Sequence, residues 1–154
     1  MSFIDIAFLK KDNLKNGIIS YRRKKTGQLL HVACEKAILH LIERYRADES
    51  SPFLLSIISK PDKDCRRQYQ SRMYSVNKSL KVVAAMAGID MPLTLYVARH
   101  SWASIAHSQN IPVSVISESM GHDSEATTQI YLASLDMSAV NKANSQVIAA
   151  LDKC

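Results

Sequence analysis

Cysteine, glycine and proline are all scarce in this chain, at three, four and four residues of 154. The cysteines, Cys34, Cys65 and Cys154, are scattered, odd in number and form no CxxC pair. That arrangement excludes a disulfide framework and argues against a zinc site, and it fits a reducing cytoplasm. So little glycine and proline excludes long loops and extended disorder. No apolar run approaches the roughly 20 residues that a membrane span needs. The opening Met1-Ser2-Phe3-Ile4-Asp5 lacks the basic start and apolar stretch of a secretion signal. Internal repeats, low-complexity tracts and linkers are missing too. What is present is a 47% hydrophobic sequence, of a length that makes one domain with a real core.

Charge is unevenly distributed. Residues 1–81 hold 17 of the 20 Lys and Arg but 8 of the 14 Asp and Glu, a net +9, and the remainder carries −3. A basic half can face a polyanion while the acidic half packs a core or a partner, and the same charge can equally be a well-solvated surface.

Periodicity predicts a mostly α (α+β) fold with one small antiparallel sheet near the N-terminus. Phe3 to Lys10 reads as the end of a helix without a visible N-terminal cap, so the chain is expected to begin inside an element. Asn16-Gly17 marks a tight turn. Ile18 to Arg22 and Gln28 to Val32 read as paired strands, with Lys25-Thr26-Gly27 in the turn between them. Cys34 to Ala47 is an amphipathic helix, with Ile38, Leu41, Ile42 and Tyr45 on one face. Pro52 to Ile58 is a short apolar, extended run, and Lys60 to Arg67 a polar loop. Tyr69 to Ala87 reads as a helix with Val76, Leu80, Val83, Ala84 and Ala87 inward, stopped by Gly88. Thr94 can cap a helix to about Ser108. Pro112 suits the first turn of the next, which Gly121 ends, and Ser124 can cap a short helix carrying Tyr131. A final helix is expected from Ser138 to Leu151.

Chemistry concentrates in the last third. A guanidinium such as Arg99 forks onto two phosphate oxygens and stays charged at any working pH. Tyr96, at i−3 on the same helix, can add a hydrogen bond. Gly121 turns the chain sharply and can aim His122 into a cleft. Tyr131 follows nine residues later. A phenol with a pKa of about 10 needs neighbouring positive charge to act as a nucleophile. Lys25, in the basic turn Arg22-Arg23-Lys24-Lys25-Thr26-Gly27, can reach a bound duplex and protonate a leaving hydroxyl. Each residue has a plainer reading: Arg99 beside a carboxylate, Tyr96 half-buried, His122 capping a helix end, Tyr131 in a core, the hairpin only gripping phosphates.

In this order the pieces resemble the catalytic domain of tyrosine recombinases, the phage integrase family. Met1 to Ile6 matches the last part of the family's first box and Lys25 its hairpin lysine. Tyr96-Val97-Ala98-Arg99 matches the H-x-x-R box, Met120-Gly121-His122 the Leu-Gly-His turn, and Tyr131 the nucleophile. The resemblance spans nearly the whole chain. It implies a single catalytic domain over residues 1–154, expected to be truncated at its N-terminus and to lack the core-DNA-binding and arm-binding domains of full-length members. It implies transesterification. Tyr131 attacks a DNA phosphate to form a 3′-phosphotyrosyl link, Lys25 protonates the departing 5′ hydroxyl, Arg99 and His122 stabilise the phosphorane, and Tyr96 supports them. No metal or other cofactor is required. The implied partners are double-stranded DNA and further copies of the protein, as a tetramer on two duplexes, in the bacterial cytoplasm at the nucleoid. Arg22, Arg23, Lys24, Arg66, Arg67 and Arg72 are the basic residues expected against the duplex.

Two positions depart from the family pattern. Its first arginine falls at Ser2, as in some recombinases of Bacteroides-like mobile elements, and Tyr96 stands where a histidine is usual. A type IB topoisomerase shares the nucleophile chemistry but would relax strands, and a non-catalytic DNA-binding module would keep the fold without the reaction.

Overall fold

A computed structural model of the chain describes residues 1–133. Ser2 opens the first element. Its backbone is extended, and its hydroxyl accepts the Asp5 N–H at 3.4 Å to cap helix α1, Phe3–Ala7. The expectation of an uncapped helix is thereby corrected: Ser2-Phe3-Ile4-Asp5 has the S-x-x-D spacing of a capping box.

After one 3₁₀ turn at Lys11–Asn13, three short strands form an antiparallel sheet in the order β1-β2-β3: β1 Leu14–Lys15, β2 Ile18–Arg22 and β3 Leu29–Ala33. The first strand was not foreseen, since two residues are too few to show alternation. Asn16 and Gly17 join it to β2 with φ of 50° and 73°, the paired positive values that a tight hairpin turn demands. Pairing of Ile19 with Val32 and Tyr21 with Leu30 puts the apolar side chains on one face. On the opposite face Ser20 Oγ meets His31 Nδ1 at 2.8 Å.

Against the apolar face lies helix α2, Lys36–Arg44, through Ile42 and the partly buried Ile38. The extended segment around Phe53 runs alongside, with Leu54 N–H donating to Leu9 C=O at 2.8 Å. Leu9, Ile19, Tyr21, Leu30, Ile42 and Leu54 form the core here, and each such buried apolar side chain contributes about 1.5–3 kcal/mol.

Helix α3, Cys65–Met86, starts earlier than its hydrophobic period suggests, because the Asp64 carboxylate caps it by accepting Arg67 N–H at 3.0 Å. Arg66 and Arg67 are therefore helical and not in a loop. Ala84 is buried, but Val83 and Ala87 are exposed, against expectation. Phe3, Phe8, Phe53 and Tyr69 make a run of ring contacts at 5.8–6.2 Å that ties α1 and the extended segment to α3.

Helix α4, Leu95–Ser108, begins where Asn77 Oδ1 of α3 accepts Leu95 N–H at 2.9 Å. Asn110, at φ 59°, ends the turn after it. Pro112 precedes α5, Val113–Met120, as its N-cap, and Gly121 closes that helix in the left-handed conformation at φ 63°. Helix α6, Glu125–Ala133, starts at Ser124, whose Oγ accepts Thr127 N–H at 3.4 Å.

The chain divides into two compact units, Met1–His100 and Ser101 onward. The second has its own small core of Ala103, Ala106, Ile116, Met120 and Leu132. The helix expected from Ser138 to Leu151 lies outside the described residues.

Candidate active site

In the first unit the chemistry gathers around Asp5. This carboxylate is only 4% exposed. Its Oδ1 accepts the Lys24 backbone N–H at 2.9 Å, and its Oδ2 accepts the Ser2 hydroxyl. Asp5 thus pins the hairpin turn between β2 and β3 to the start of α1. The turn is closed by Arg23 N–H donating to Gln28 C=O and Gly27 N–H to Arg23 C=O, each at 2.8 Å.

The basic residues of this turn differ in placement. Arg22 is exposed and reaches Gly27 C=O through a guanidinium nitrogen at 3.2 Å. Lys24 is exposed and lies over the Phe8 ring at 4.6 Å. Lys25 is exposed at the tip. Arg23, expected beside them on the DNA-facing surface, is instead buried at 8% exposure.

Arg99 is half-buried on α4. Its charge and that of Arg23 act on the same two groups. Burial pushes the Tyr21 hydroxyl above its ordinary pKa and the Asp5 charge adds to this, while Arg99 and Arg23 oppose it. Burial pulls the Met1 amine down, Arg99 and Arg23 pull it further, and Asp5 opposes them. Asp5, Arg23, Arg99 and Tyr21 therefore share one electrostatic neighbourhood. Tyr96, at 60% exposure, sits one helical turn before His100, and the two rings meet edge to face at 4.2 Å. Burial, then Arg99, lowers the pKa of His100.

In the second unit Gly121 delivers His122 to a fixed place. His122 N–H donates to Ser117 C=O at 3.0 Å, and its Nδ1 lies 2.7 Å from Thr128 Oγ1. Thr128, on α6, is fully buried. The imidazole Nδ1 is thus held by a hydroxyl of the protein itself. Tyr131 lies one turn further along the same helix.

Arg66, Arg67 and Arg72 are all exposed on α3, but at about 100° per residue they point three ways and do not form a single stripe. Arg72 instead borders an apolar cavity of about 590 Å³ together with Met1, Phe3, Leu41, Tyr45 and Val76. That cavity has the wrong lining for a phosphodiester. No cluster of metal-ligating side chains occurs among the described residues, and no helix among them is long and apolar enough to cross a membrane.

Sequence reasoning missed Asp5, His100 and Thr128. For Asp5 a signal existed in the capping-box spacing after Ser2. Thr128 had none, since its partner is six residues away across a turn.

The profile of the phage integrase family matches residues 4–137. Tyrosine recombinase XerD of Pseudomonas putida is 29% identical over 123 residues, covering 80% of this chain and 41% of that protein. Tyrosine recombinase XerA of Pyrococcus furiosus is 30% identical over 123 residues, covering 77% of this chain and 40% of that protein. The chain thus spans about two-fifths of the length of these curated relatives. Among solved structures, the fold is similar to a crystal structure of XerA recombinase, with a TM-score of 0.65 at 22% identity over 94% of this chain and 52% of that one. It is also similar to XerH site-specific recombinase bound to palindromic difH substrate in a post-cleavage complex, with a TM-score of 0.61 at 21% identity over 90% and 40%.

Proposed function

The chain belongs to the phage integrase family, and from that premise we propose that it carries the catalytic part of a tyrosine site-specific recombinase. The observation that carries this reading is the family match over residues 4–137, and Lys25, Arg99, Gly121-His122 and Tyr131 are the proposed site residues within that range.

The reaction is a transesterification. The Tyr131 oxygen attacks a DNA phosphorus, and the bond to the 5′ oxygen breaks. Lys25 donates a proton to that departing oxygen, and the Tyr131 proton is lost to solvent or a nearby base. Arg99 and His122 offset the charge that builds on the pentavalent phosphorus, and preorganised donors of this kind are each worth about 2.7–4 kcal/mol of barrier. Tyr96 supports them. Because the phosphotyrosyl ester retains the energy of the broken bond, a second strand's 5′ hydroxyl can reverse the step. This chemistry calls for no metal or nucleotide.

Double-stranded DNA is the proposed partner, with the basic first unit and the exposed Arg22 and Lys24 of its hairpin toward it. The full-length protein is proposed to work as a tetramer on two duplexes, in the cytoplasm at the nucleoid. Integration, excision and inversion all use this same step.

The test is covalent trapping. The full-length protein and its Tyr131→Phe variant are mixed with a nicked suicide duplex of the attachment site and run on a denaturing gel. A shifted protein–DNA band that disappears in the variant is expected. Salt-sensitive binding of the duplex with no band would instead assign a DNA-binding module that has lost the reaction.

A further inference from the structure

Lys24 and Lys25 are adjacent in one turn, yet their surroundings are opposite. Lys24 is tied twice to α1 and its end: its backbone N–H donates to Asp5 Oδ1 at 2.9 Å, and its ammonium lies 4.6 Å from the centre of the Phe8 ring. Lys25 makes no hydrogen bond, ion pair or ring contact among the described residues. We propose that Phe8 is a positioning residue for the proton transfer: its ring holds the Lys24 ammonium and so fixes the stretch of hairpin from which Lys25 reaches the leaving oxygen. The inference rests on the recombinase reading above and on the role of Lys25 within it.

Phe8 is itself firmly set. It is the C-cap of α1, and its N–H donates to Ile4 C=O at 3.2 Å. Its ring meets Phe53 edge to face at 6.0 Å, with 85° between the planes, and Tyr69 at 6.2 Å. Aromatic pairs at such spacings attract beyond the area they bury. Held by the extended segment and by α3 together, the ring keeps its orientation. The face it offers to Lys24 is therefore in place before any substrate binds.

Charge explains why the Lys24 side chain goes to that ring. The Asp5 carboxylate has Oδ1 engaged by the Lys24 backbone and Oδ2 by the Ser2 hydroxyl. An ammonium within about 6 Å of a ring centre is attracted by the negative face of the ring. It keeps its charge there, so Lys24 still adds to the positive potential that a duplex meets. Its place, however, is set by Phe8 and not by the DNA.

The two ties act differently. The backbone hydrogen bond fixes where residue 24 lies but leaves the chain free to pivot about that point. The second tie, through the side chain, removes the pivot. Lys25, the next residue, then has a fixed anchor and a free, flexible stem. A general acid needs that combination. It must come within about 2.6–3.2 Å of the oxygen that takes its proton, and a misplacement of about 1 Å is enough to slow the chemistry.

Two nicked suicide duplexes of the attachment site test this, identical except that sulfur replaces the bridging 5′ oxygen at the scissile phosphate of one. In both, the Tyr131 oxygen bonds to phosphorus and the bond to the 5′ atom breaks. The 5′ oxygen leaves with a proton from Lys25. A thiol ionises near about pH 8.5, so the 5′ sulfur leaves as a thiolate and needs no donor. Single-turnover rates are measured on the full-length protein, with Tyr131→Phe as the blank. Lys25→Ala is expected to be slow on the oxygen duplex and restored on the sulfur one. Phe8→Leu and Lys24→Met should be about two- to fivefold slow on oxygen, the worth of an exposed cation–π contact expressed as a ratio, and match the wild type on sulfur. The double variant should be no slower than either single one, because both remove the same contact. Phe8→Tyr keeps the ring face and should cleave as the wild type does. Lys24→Met alters only the surface, so it carries the test if Phe8→Leu does not fold. Equal slowing on both duplexes would point to the fold or to DNA binding and overturn the proposal. So would wild-type cleavage of the oxygen duplex by Lys24→Met, or losses that multiply in the double variant. Slow cleavage of both duplexes by Lys25→Ala removes Lys25 as the donor and this inference with it. No adduct from the wild type on either duplex is a different result, because it removes the recombinase reading itself.

Discussion

Replacing Thr128 by valine should disable His122 without touching it. The side chains have the same shape, but valine lacks the hydroxyl that lies 2.7 Å from His122 Nδ1. Thr128 is fully buried, so water cannot stand in for the lost group. A hydrogen bond of this kind is worth about 0.5–1.5 kcal/mol net, rising to about 1–3 when a buried partner loses its mate. For a chain of this size each kcal/mol lowers the melting temperature by about 2–4 °C. The larger consequence is chemical. A neutral imidazole has one N–H, and a hydroxyl that donates to Nδ1 keeps the proton on Nε2, where the proposed reaction needs a donor. Without it the ring is free to carry its proton on Nδ1, where it is of no use. Side-chain nitrogen NMR should show Nε2–H in the wild type and a mixture in Thr128→Val. The cleavage rate should fall on the order of ten- to a hundredfold, as when other side chains that orient a histidine are removed. Thr128→Ser is the control: it loses a methyl, at a cost of about 1 kcal/mol, yet keeps the tautomer and most of the rate. If Thr128→Val cleaves at the wild-type rate with an unchanged Nε2–H signal, the hydrogen bond does not set the tautomer and the reasoning fails.

Two further outcomes follow from the first unit. His100 should titrate below its ordinary pKa of about 6.5, because burial and then the Arg99 charge disfavour its protonated form. The unfolded chain then takes up the proton first, so this contribution to stability is present above about pH 6.5 and is lost as the pH falls toward the depressed folded value. Proton NMR should show the midpoint moving up in Arg99→Gln, and a midpoint that stays put would remove Arg99 as a cause. Asn77→Ala takes away the acceptor of the Leu95 N–H at the start of α4 and should destabilise the protein by about 0.5–2 kcal/mol in urea unfolding, as loss of other helix caps does. An unchanged midpoint would mean that another group satisfies that donor.

Much of the fold was legible because its signals are local. The alternation of Ile19 and Tyr21, the Asn16-Gly17 turn, the amphipathic face of α2 and the stops at Gly88 and Gly121 each rest on a few adjacent residues, and each appears where expected. The errors share a cause. Strand β1 is too short to alternate, and it exists only because the turn at Asn16-Gly17 lays Leu14 opposite Ile19. The first turn of α3 has no apolar period, and a single carboxylate, Asp64, starts it. Val83 and Ala87 fit an inward stripe by spacing, but the spacing cannot say how far along α3 the packing extends.

The candidate site divides in the same way. By itself the sequence offered the candidate groups and their order, since Arg99, Gly121-His122 and Tyr131 are a motif of residue type and spacing. Tertiary structure alone decided what surrounds them. Arg23 reads as one of four equivalent cations along the chain, and only the closure of the hairpin onto Asp5 buries it while Arg22, Lys24 and Lys25 stay in water. Thr128 reads as one of two adjacent threonines, and only the left-handed turn at Gly121 brings His122 back onto it. Charge and reactivity belong to a residue wherever it lies, whereas desolvation and hydrogen-bond partnership depend on neighbours that the chain supplies from elsewhere in the fold.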